Sequence, residues 1–487
     1  MSRNIDPLYR KFYKSIRTSI LTGQFSAGYR LPATRQMAEE YGVSRNTIAA
    51  AYDQLIAEGY VQARTGSGTY VAPSIPDDFM QTEVDRQKSH KSGLRKLSTR
   101  GAAIAEIRLN WQTRQAPVKP FTPCVPSVAD FPFQTWARLT SKRLRSPVRS
   151  LWNYGDPAGY KPLREAIAAH LGSTRGVNCN AEQVVVVSGT QQAVDLTARV
   201  LLDANDFVWV ENPGYMGTRG ALLGGQAKVV GVPVDEEGIQ VKEGMKKAAE
   251  ARLVCITPSN QYPLGITMSF ARRLELLEWA RKSGAWIFED DYDSEFRYVS
   301  RPIAALQGLD RYQRVIYAGT FSKVLNPVLR LGYLVVPEDL INPFIRAKAV
   351  MDRHSSLLEQ VVLADFFEHN HFLSHIRRMR NLYSERREIL ISAIQSQIGK
   401  NLKIISAPAG LHVTLEFQKN VDDFRIALNA QKIGIELEPL SAFYMNQNKR
   451  HGLILGYAPF RPKEIKEGIA KLAGVLINPQ MNTDKHR

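Results

Sequence analysis

The chain has 487 residues, more than one hydrophobic core ordinarily supports, so two or more domains are expected. Hydrophobic residues make up 44%, enough to fill such cores, and 64 Lys and Arg against 47 Asp and Glu leave a net charge of +17, a balance that favours an anionic partner such as nucleic acid. Cys124, Cys179 and Cys255 lie far apart with no CxxC pair, and no apolar run reads as a signal peptide or a membrane span, so disulfide scaffolds, cysteine zinc sites and membrane partners are not expected and a reducing cytoplasm is.

Leu8, Phe12, Ile16 and Ile20 recur at helical spacing between Pro7 and Gly23, the stripe of an amphipathic helix. The segment LPATRQMAEEYGVSRNTIAAAYDQLIAEGY then predicts a short helix closed by Gly42, a Val-Ser step and a second helix capped by Ser44, the pattern of a helix-turn-helix. On the second helix Ile48, Tyr52 and Leu55 point inward, which leaves Arg45, Asn46, Ala49 and Ala50 as a thin face suited to a major groove. After Gly59, YVQARTGSGTYVA predicts a wing of two short strands around Gly66, Ser67 and Gly68, with Arg64 near its tip. Residues 5–73 resemble the DNA-binding domain of GntR-type bacterial regulators. The resemblance implies a double-stranded DNA operator, with Arg35, Arg45, Asn46 and Thr47, beside the capping Ser44, at bases or phosphates, and Arg64, Gly66 and Gly68 in the wing. Ser44 and Thr47 also read simply as a helix cap.

From Pro73 apolar periodicity fades, and between Arg86 and Arg100 basic residues stand with no acidic one, so 74–112 reads as a basic linker. Beyond it, helical patterns such as PLREAIAAHL alternate with VVVV, FVWV, LVCI and AWIFED, the rhythm of an α/β domain with a mostly parallel sheet over 113–478. SGTQQA at 188–193, EDDYD at 289–293 and GTFSKVLNPVLRLGY at 319–333 meet the separate needs of one cofactor, pyridoxal 5'-phosphate (PLP). Lys323 follows a strand and offers the amine for a Schiff base, Thr320 and Ser322 offer hydroxyls to the phosphate, and Arg330 caps it. Gly189, Thr190 and Gln191 open a helix whose N–H groups face the same anion. Asp290, at the carboxyl end of a strand, faces the pyridine nitrogen, and Tyr292 the ring oxygen.

Residues from about 115 to 475 resemble fold-type I aminotransferases, through NYGDPAGYKPLREAI, ENPGYMG and TPSNQYPLG as well, and their coupling to a GntR-type head resembles the MocR group of regulators. The resemblance implies a winged helix-turn-helix joined to large and small aminotransferase domains, a head-to-tail homodimer, and Tyr215 stacked on the PLP ring. Where aminotransferases carry an asparagine before a PTG-like step this chain has Tyr262, so the ring-oxygen contact is open to Tyr262, Asn260 or Tyr292. In the C-terminal strand, HGLILGYAPFRP, Ile454 stands where the family grips a substrate carboxylate with arginine, and Arg461, the nearest candidate, reads as solvated. His369, His371 and His375 lack the glutamate and third ligand of a zinc protease and read as a helix surface, so no metal site is expected. The resulting expectation is a DNA-binding transcriptional regulator that senses PLP, an amine or an amino acid through a repurposed PLP site. The alternative is a working PLP-dependent aminotransferase with an appended DNA-binding head; an inert large domain would hold no cofactor.

Overall fold

Apolar residues at helical spacing, broken by glycines and a serine cap, build the first domain. The computed structural model describes residues 7–76, 97–107, 118–145, 153–298, 303–399, 402–405, 408–419, 421–445 and 449–477. Of the stretch read as a linker, the basic residues Arg86, Lys88, Lys91, Arg95 and Lys96 lie outside the described residues. The chain divides into two compact units, Met1–Lys96 and Leu97–Arg487.

In the first unit, α1 (Leu8–Leu21) buries Ile16 and Ile20 and leaves Leu8 exposed. The next helix, α2 (Thr34–Tyr41), stops at Gly42, whose left-handed φ of 63° costs a glycine nothing. Ser44 then opens α3 (Arg45–Ala57), its hydroxyl accepting the Thr47 N–H at 3.2 Å. Ile48, Tyr52 and Leu55 are buried as their spacing predicts, and meet Ile16, Ile20, Met37, Val61 and Val71 in one core. Two strands, β1 (Val61–Arg64) and β2 (Gly68–Val71), pair antiparallel from Val61↔Val71 to Arg64↔Gly68 and form the wing.

The second unit begins inside the stretch read as a linker. Ser98 accepts the Gly101 N–H at 3.0 Å and caps a helix, Thr99–Ala105. So short a segment shows little periodicity, and its partner is distant in sequence: Ile104 and Ile107 rest against Gly224 and Gly220 of the helix Met216–Gly224.

The main sheet comprises β3 (Val184–Val187), β4 (Phe207–Asn212), β5 (Lys228–Asp235), β6 (Gly238–Ile239), β7 (Leu253–Ile256), β8 (Trp286–Asp291), β9 (Val315–Thr320) and β10 (Gly332–Val335), in the order β3-β10-β9-β8-β7-β4-β5-β6. Neighbours from β9 to β5 run parallel, whereas β10 is antiparallel to β9 and β3, and β6 to β5. The apolar runs VVVV and LVCI are buried at every position, as strands covered on both faces must be. A smaller antiparallel sheet, order β11-β12-β14-β13, is made of β11 (Leu402–Ile404), β12 (His412–Phe417), β13 (Glu438–Pro439) and β14 (Gly452–Gly456). Leu453 and Leu455 of β14 join the main core, while Ile454 between them faces a separate cluster with Tyr262, Tyr292 and Phe443, the alternation a strand imposes.

The histidine segment needs a correction. His375 is buried with Phe372, Ile376, Met379 and Tyr383 on the inward face of the helix His371–Gln397, its Nε2 lies 3.2 Å from the Val324 carbonyl, and burial pushes its pKa down to about 4. Only His369 and His371 sit toward the surface. No helix among the described residues is long and apolar enough to cross a membrane.

Candidate functional site

The carboxyl ends of β3, β8 and β9 bring the predicted cofactor residues together. Leaving β3, the chain turns at Gly189, whose φ of 118° excludes most side chains, and starts the helix Thr190–Leu201 with its N–H groups over the sheet edge. A Cβ on Gly189 would lie 3.9 Å from both the Arg330 guanidinium and Thr320 Oγ1, so these groups and the helix N-terminus converge on one corner. At the end of β8 the acidic run splits by strand alternation. Glu289 accepts the N–H groups of Leu306 and Gln307 at 2.8 and 2.9 Å, and Asp291 accepts from Arg175 at 2.9 Å and Tyr317 at 2.6 Å. Asp290, between them, lines a cavity of about 360 Å³. Lys323, leaving β9, enters the same cavity, and its ammonium donates to the Cys124 carbonyl at 2.8 Å.

The donor set fits PLP. Ser322 Oγ is buried and has no hydrogen-bond partner among the described residues, and its backbone N–H donates to Thr320 Oγ1 at 3.2 Å. Hydroxyls, a guanidinium and helix N–H groups around one corner are what a phosphate requires. Asp290 wants the opposite partner. Burial, and then the neighbouring Asp291, push its pKa up to about 7, against a hydrogen bond from Thr190 at 3.3 Å, so a protonated ring nitrogen would relieve it.

The remaining predicted residues divide. Tyr215 and Gln191 line the cavity, Gln191 also donating to the Gly217 carbonyl at 2.8 Å. Of the three candidates for the ring oxygen, Tyr262 and Tyr292 reach the wall, whereas the Asn260 amide behind them donates to both Asp293 oxygens at 3.0 Å and to the Tyr292 hydroxyl at 3.2 Å. Arg461 does not line the cavity; it is exposed at the start of the helix Pro462–Ile477, its N–H donating to Glu464. Sequence reasoning missed Glu438, Phe443 and Cys124, which also line the cavity. The one sequence signal was an acid at Glu438, two residues after Glu436, within the otherwise mostly apolar stretch IELEPLSAF.

On the first unit, Arg45 and Asn46 are exposed at the start of α3, with Arg45 Nε 3.4 Å from Thr34 Oγ1. Arg35 is exposed and pairs with Glu39 at 3.1 Å, worth little in solvent. Ser44 and Thr47 hydroxyls lie 2.8 Å apart, so the cap already uses both. Arg64 stacks over Tyr70 at 4.8 Å, and Gly66 and Gly68 take φ of 72° and 120° in the wing turn. The bridge Arg30↔Tyr70 adds an arginine that sequence reasoning missed, its Nε 3.0 Å from the place of a Cβ on Gly68.

Comparison with known families matches residues 8–71 to the bacterial regulatory proteins of the gntR family and residues 127–474 to the class I and II aminotransferases. The chain is 40% identical over 481 residues to the probable rhizopine catabolism regulatory protein MocR of Rhizobium meliloti, covering 98% of this chain and 95% of that one. It is 31% identical to the HTH-type transcriptional regulator TauR of Rhodobacter capsulatus, covering 96% of each. The crystal structure of kynurenine aminotransferase from Pyrococcus horikoshii superimposes with a TM-score of 0.70 at 27% identity, over 82% of this chain and 99% of that one.

Proposed function

Because the chain belongs to the MocR group, in which a GntR-type DNA-binding domain is joined to a class I and II aminotransferase domain, we propose that it reports the state of a PLP pocket built on Lys323 to an operator. It is a DNA-binding transcriptional regulator whose large domain carries PLP. The observation that carries the sensing role is the convergence of Lys323, Asp290, Thr320, Ser322 and Arg330 on one cavity whose wall has no further cation among the described residues.

When bound, PLP supplies a reactive aldehyde and an electron-poor ring. Lys323 presents its amine at the cavity floor. Asp290, raised to about 7 by burial and Asp291, would share one proton with the ring nitrogen. Thr320, Ser322, Arg330 and the N–H groups from Gly189 to Gln191 would hold the phosphate, Tyr215 would stack on the ring, and Tyr262 or Tyr292 would serve the ring oxygen. Arg45 and Asn46 read the major groove, with Arg35, Ser44 and Thr47 at its edge, and Arg64 with Gly66 and Gly68 brings the wing to the backbone. The regulator works in the cytoplasm as a homodimer, arranged head to tail.

The same residues would serve a working aminotransferase. Ile454, fully buried where a carboxylate-gripping arginine would stand, counts against turnover of ordinary amino acids and favours PLP itself, or an amine that reacts with it, as the signal. The test is operator affinity at fixed salt for cofactor-free protein, PLP-loaded protein and Lys323→Ala given PLP. The PLP-loaded wild type should differ from the other two by roughly fivefold or more. Equal affinity in all three, with no response of the loaded protein to amines, overturns the sensing role.

A further inference from the structure

The turn from β3 into the helix Thr190–Leu201, whose first N–H groups face the phosphate corner, is held from two sides. On one side lies Gly332 of β10, where a Cβ would come 2.9 Å from the Gly189 Cα, so a bare backbone is what lets the turn settle against the sheet. On the other, the Ser188 N–H donates to Gln192 Oε1 at 2.7 Å, a side chain of the first helical turn reaching back to the residue before it. A backbone N–H requires the amide oxygen, so the Gln192 NH2 points away, and it donates to Asp352 Oδ2 at 2.7 Å. The other Asp352 oxygen accepts the Lys348 ammonium, also at 2.7 Å. Lys348 is fully buried, where lysine is rarely found without a partner. Asp352 is the last residue of the helix Ile341–Asp352, the end at which the helix dipole disfavours a carboxylate. Neither residue suits its place by local preference; together they fix the Gln192 amide. None of the three lines the cavity.

We propose that Gln192, Asp352 and Lys348 are positioning residues for the cofactor phosphate: the ion pair sets Gln192, and Gln192 sets the turn whose N–H groups meet the anion. The inference rests on the reading above in which this corner holds the PLP phosphate. N–H bonds to an anion are directional, so a turn that shifts loses several of them at once. Lys323 leaves β9 and Asp290 ends β8, so the groups that meet the aldehyde and the ring nitrogen are carried by other strands. Loosening the relay should therefore be felt by the phosphate and hardly by the rest of the cofactor.

The experiment compares PLP with pyridoxal, which has the same aldehyde and ring and lacks the phosphate, on the full-length protein freed of cofactor. Affinity is read from the visible absorbance of the link to Lys323, and the melting temperature of each cofactor-free variant reports its fold. Gln192→Ala should weaken PLP roughly tenfold and pyridoxal by less than about twofold. Lys348→Met combined with Asp352→Ala, which removes both charges together and strands neither, should give the same selective loss. Adding Gln192→Ala to that pair should cost little more, because residues in one chain of contacts do not contribute additively. Lys348→Met combined with Asp352→Asn keeps an amide oxygen for Gln192 and should retain most of the PLP affinity. The inference is wrong if Gln192→Ala weakens PLP and pyridoxal by the same factor, or weakens neither; should the double variants fail to fold, that comparison decides alone. It is also wrong if the separate losses multiply in the triple variant. If the wild type binds neither compound at Lys323, the cofactor reading fails and this inference with it.

Discussion

Asp290 shows how one buried residue ties stability to cofactor binding. Its carboxyl has an ordinary value of 3.8 and is raised to about 7 in the fold, first by burial and then by Asp291. Without cofactor, the unfolded chain ionises at lower pH than the fold, so the stabilising contribution is complete below about pH 4 and is lost as pH rises toward about 7. We therefore expect cofactor-free Asp290→Asn to melt higher than the wild type above about pH 7, by up to a few kcal/mol of stability, and to lose that advantage in acid. Glu211, Glu289 and Glu295 are also raised to about 7, but they are common to both proteins and drop out of the difference. With PLP the order should reverse, because the variant forfeits about 1–3 kcal/mol of charge-assisted bonding to the ring nitrogen. Melting curves across pH, with and without PLP, check both signs. Lys323→Ala should abolish the borohydride-reducible link to PLP, and peptide mapping that finds another lysine labelled in the wild type would refute the assignment. Arg45 and Arg64 should separate on DNA. Arg45→Ala should cost roughly 1–3 kcal/mol and relax base preference, whereas Arg64→Ala should weaken all sequences alike and reduce the salt slope by about one. Identical losses on operator and random DNA for Arg45→Ala would count against base reading.

At the scale of elements, α3 depends on its first turn. Ser44 satisfies the Thr47 N–H and shares a hydroxyl contact with Thr47, so Ser44→Ala should destabilise the DNA-binding domain by about 1 kcal/mol, and Ser44→Asn should restore most of it. Chemical denaturation measures the cap and operator binding measures the contact. If Ser44→Asn recovers stability but not DNA affinity, the hydroxyl touches DNA; if it recovers both, the cap is the whole role. The end of β8 makes a related point. Three consecutive acids occupy one strand end, and alternation sends Glu289 and Asp291 to structural partners and leaves Asp290 for the cavity.

For the whole molecule, operator affinity is the quantity that joins the two units. PLP shifts it only by binding one state of the large domain better than another, so apo and holo proteins that differ in cofactor but not in operator affinity would mean a pocket with no bearing on DNA. Size measurement of the purified protein checks the expected dimer, and the dimer should persist in Lys323→Ala if the cofactor acts on arrangement and not on assembly.

The periodic stripe of α3, the Ser44 cap, the Gly42 stop and the apolar runs of β3 and β7 were legible because each is written in adjacent residues by helix or strand period. Lys323, Asp290 and Arg330 were legible too, because their chemistry sits at strand ends within short motifs. The helix Thr99–Ala105 was not legible, since what holds it, Gly220 and Gly224, lies more than a hundred residues away. His375 was assigned to a surface because its segment is polar, yet the helix turns it inward. Glu438 lay in a strand too short to show any period, and only its pairing with Ile454 brought it to the cavity. The sequence by itself determined the two kinds of domain and the cofactor, and named the candidate anchors that meet at one cavity, because those follow from local pattern. Only the tertiary structure decided which acids, tyrosines and histidines face the pocket, because that depends on contacts between strands and helices far apart in the chain.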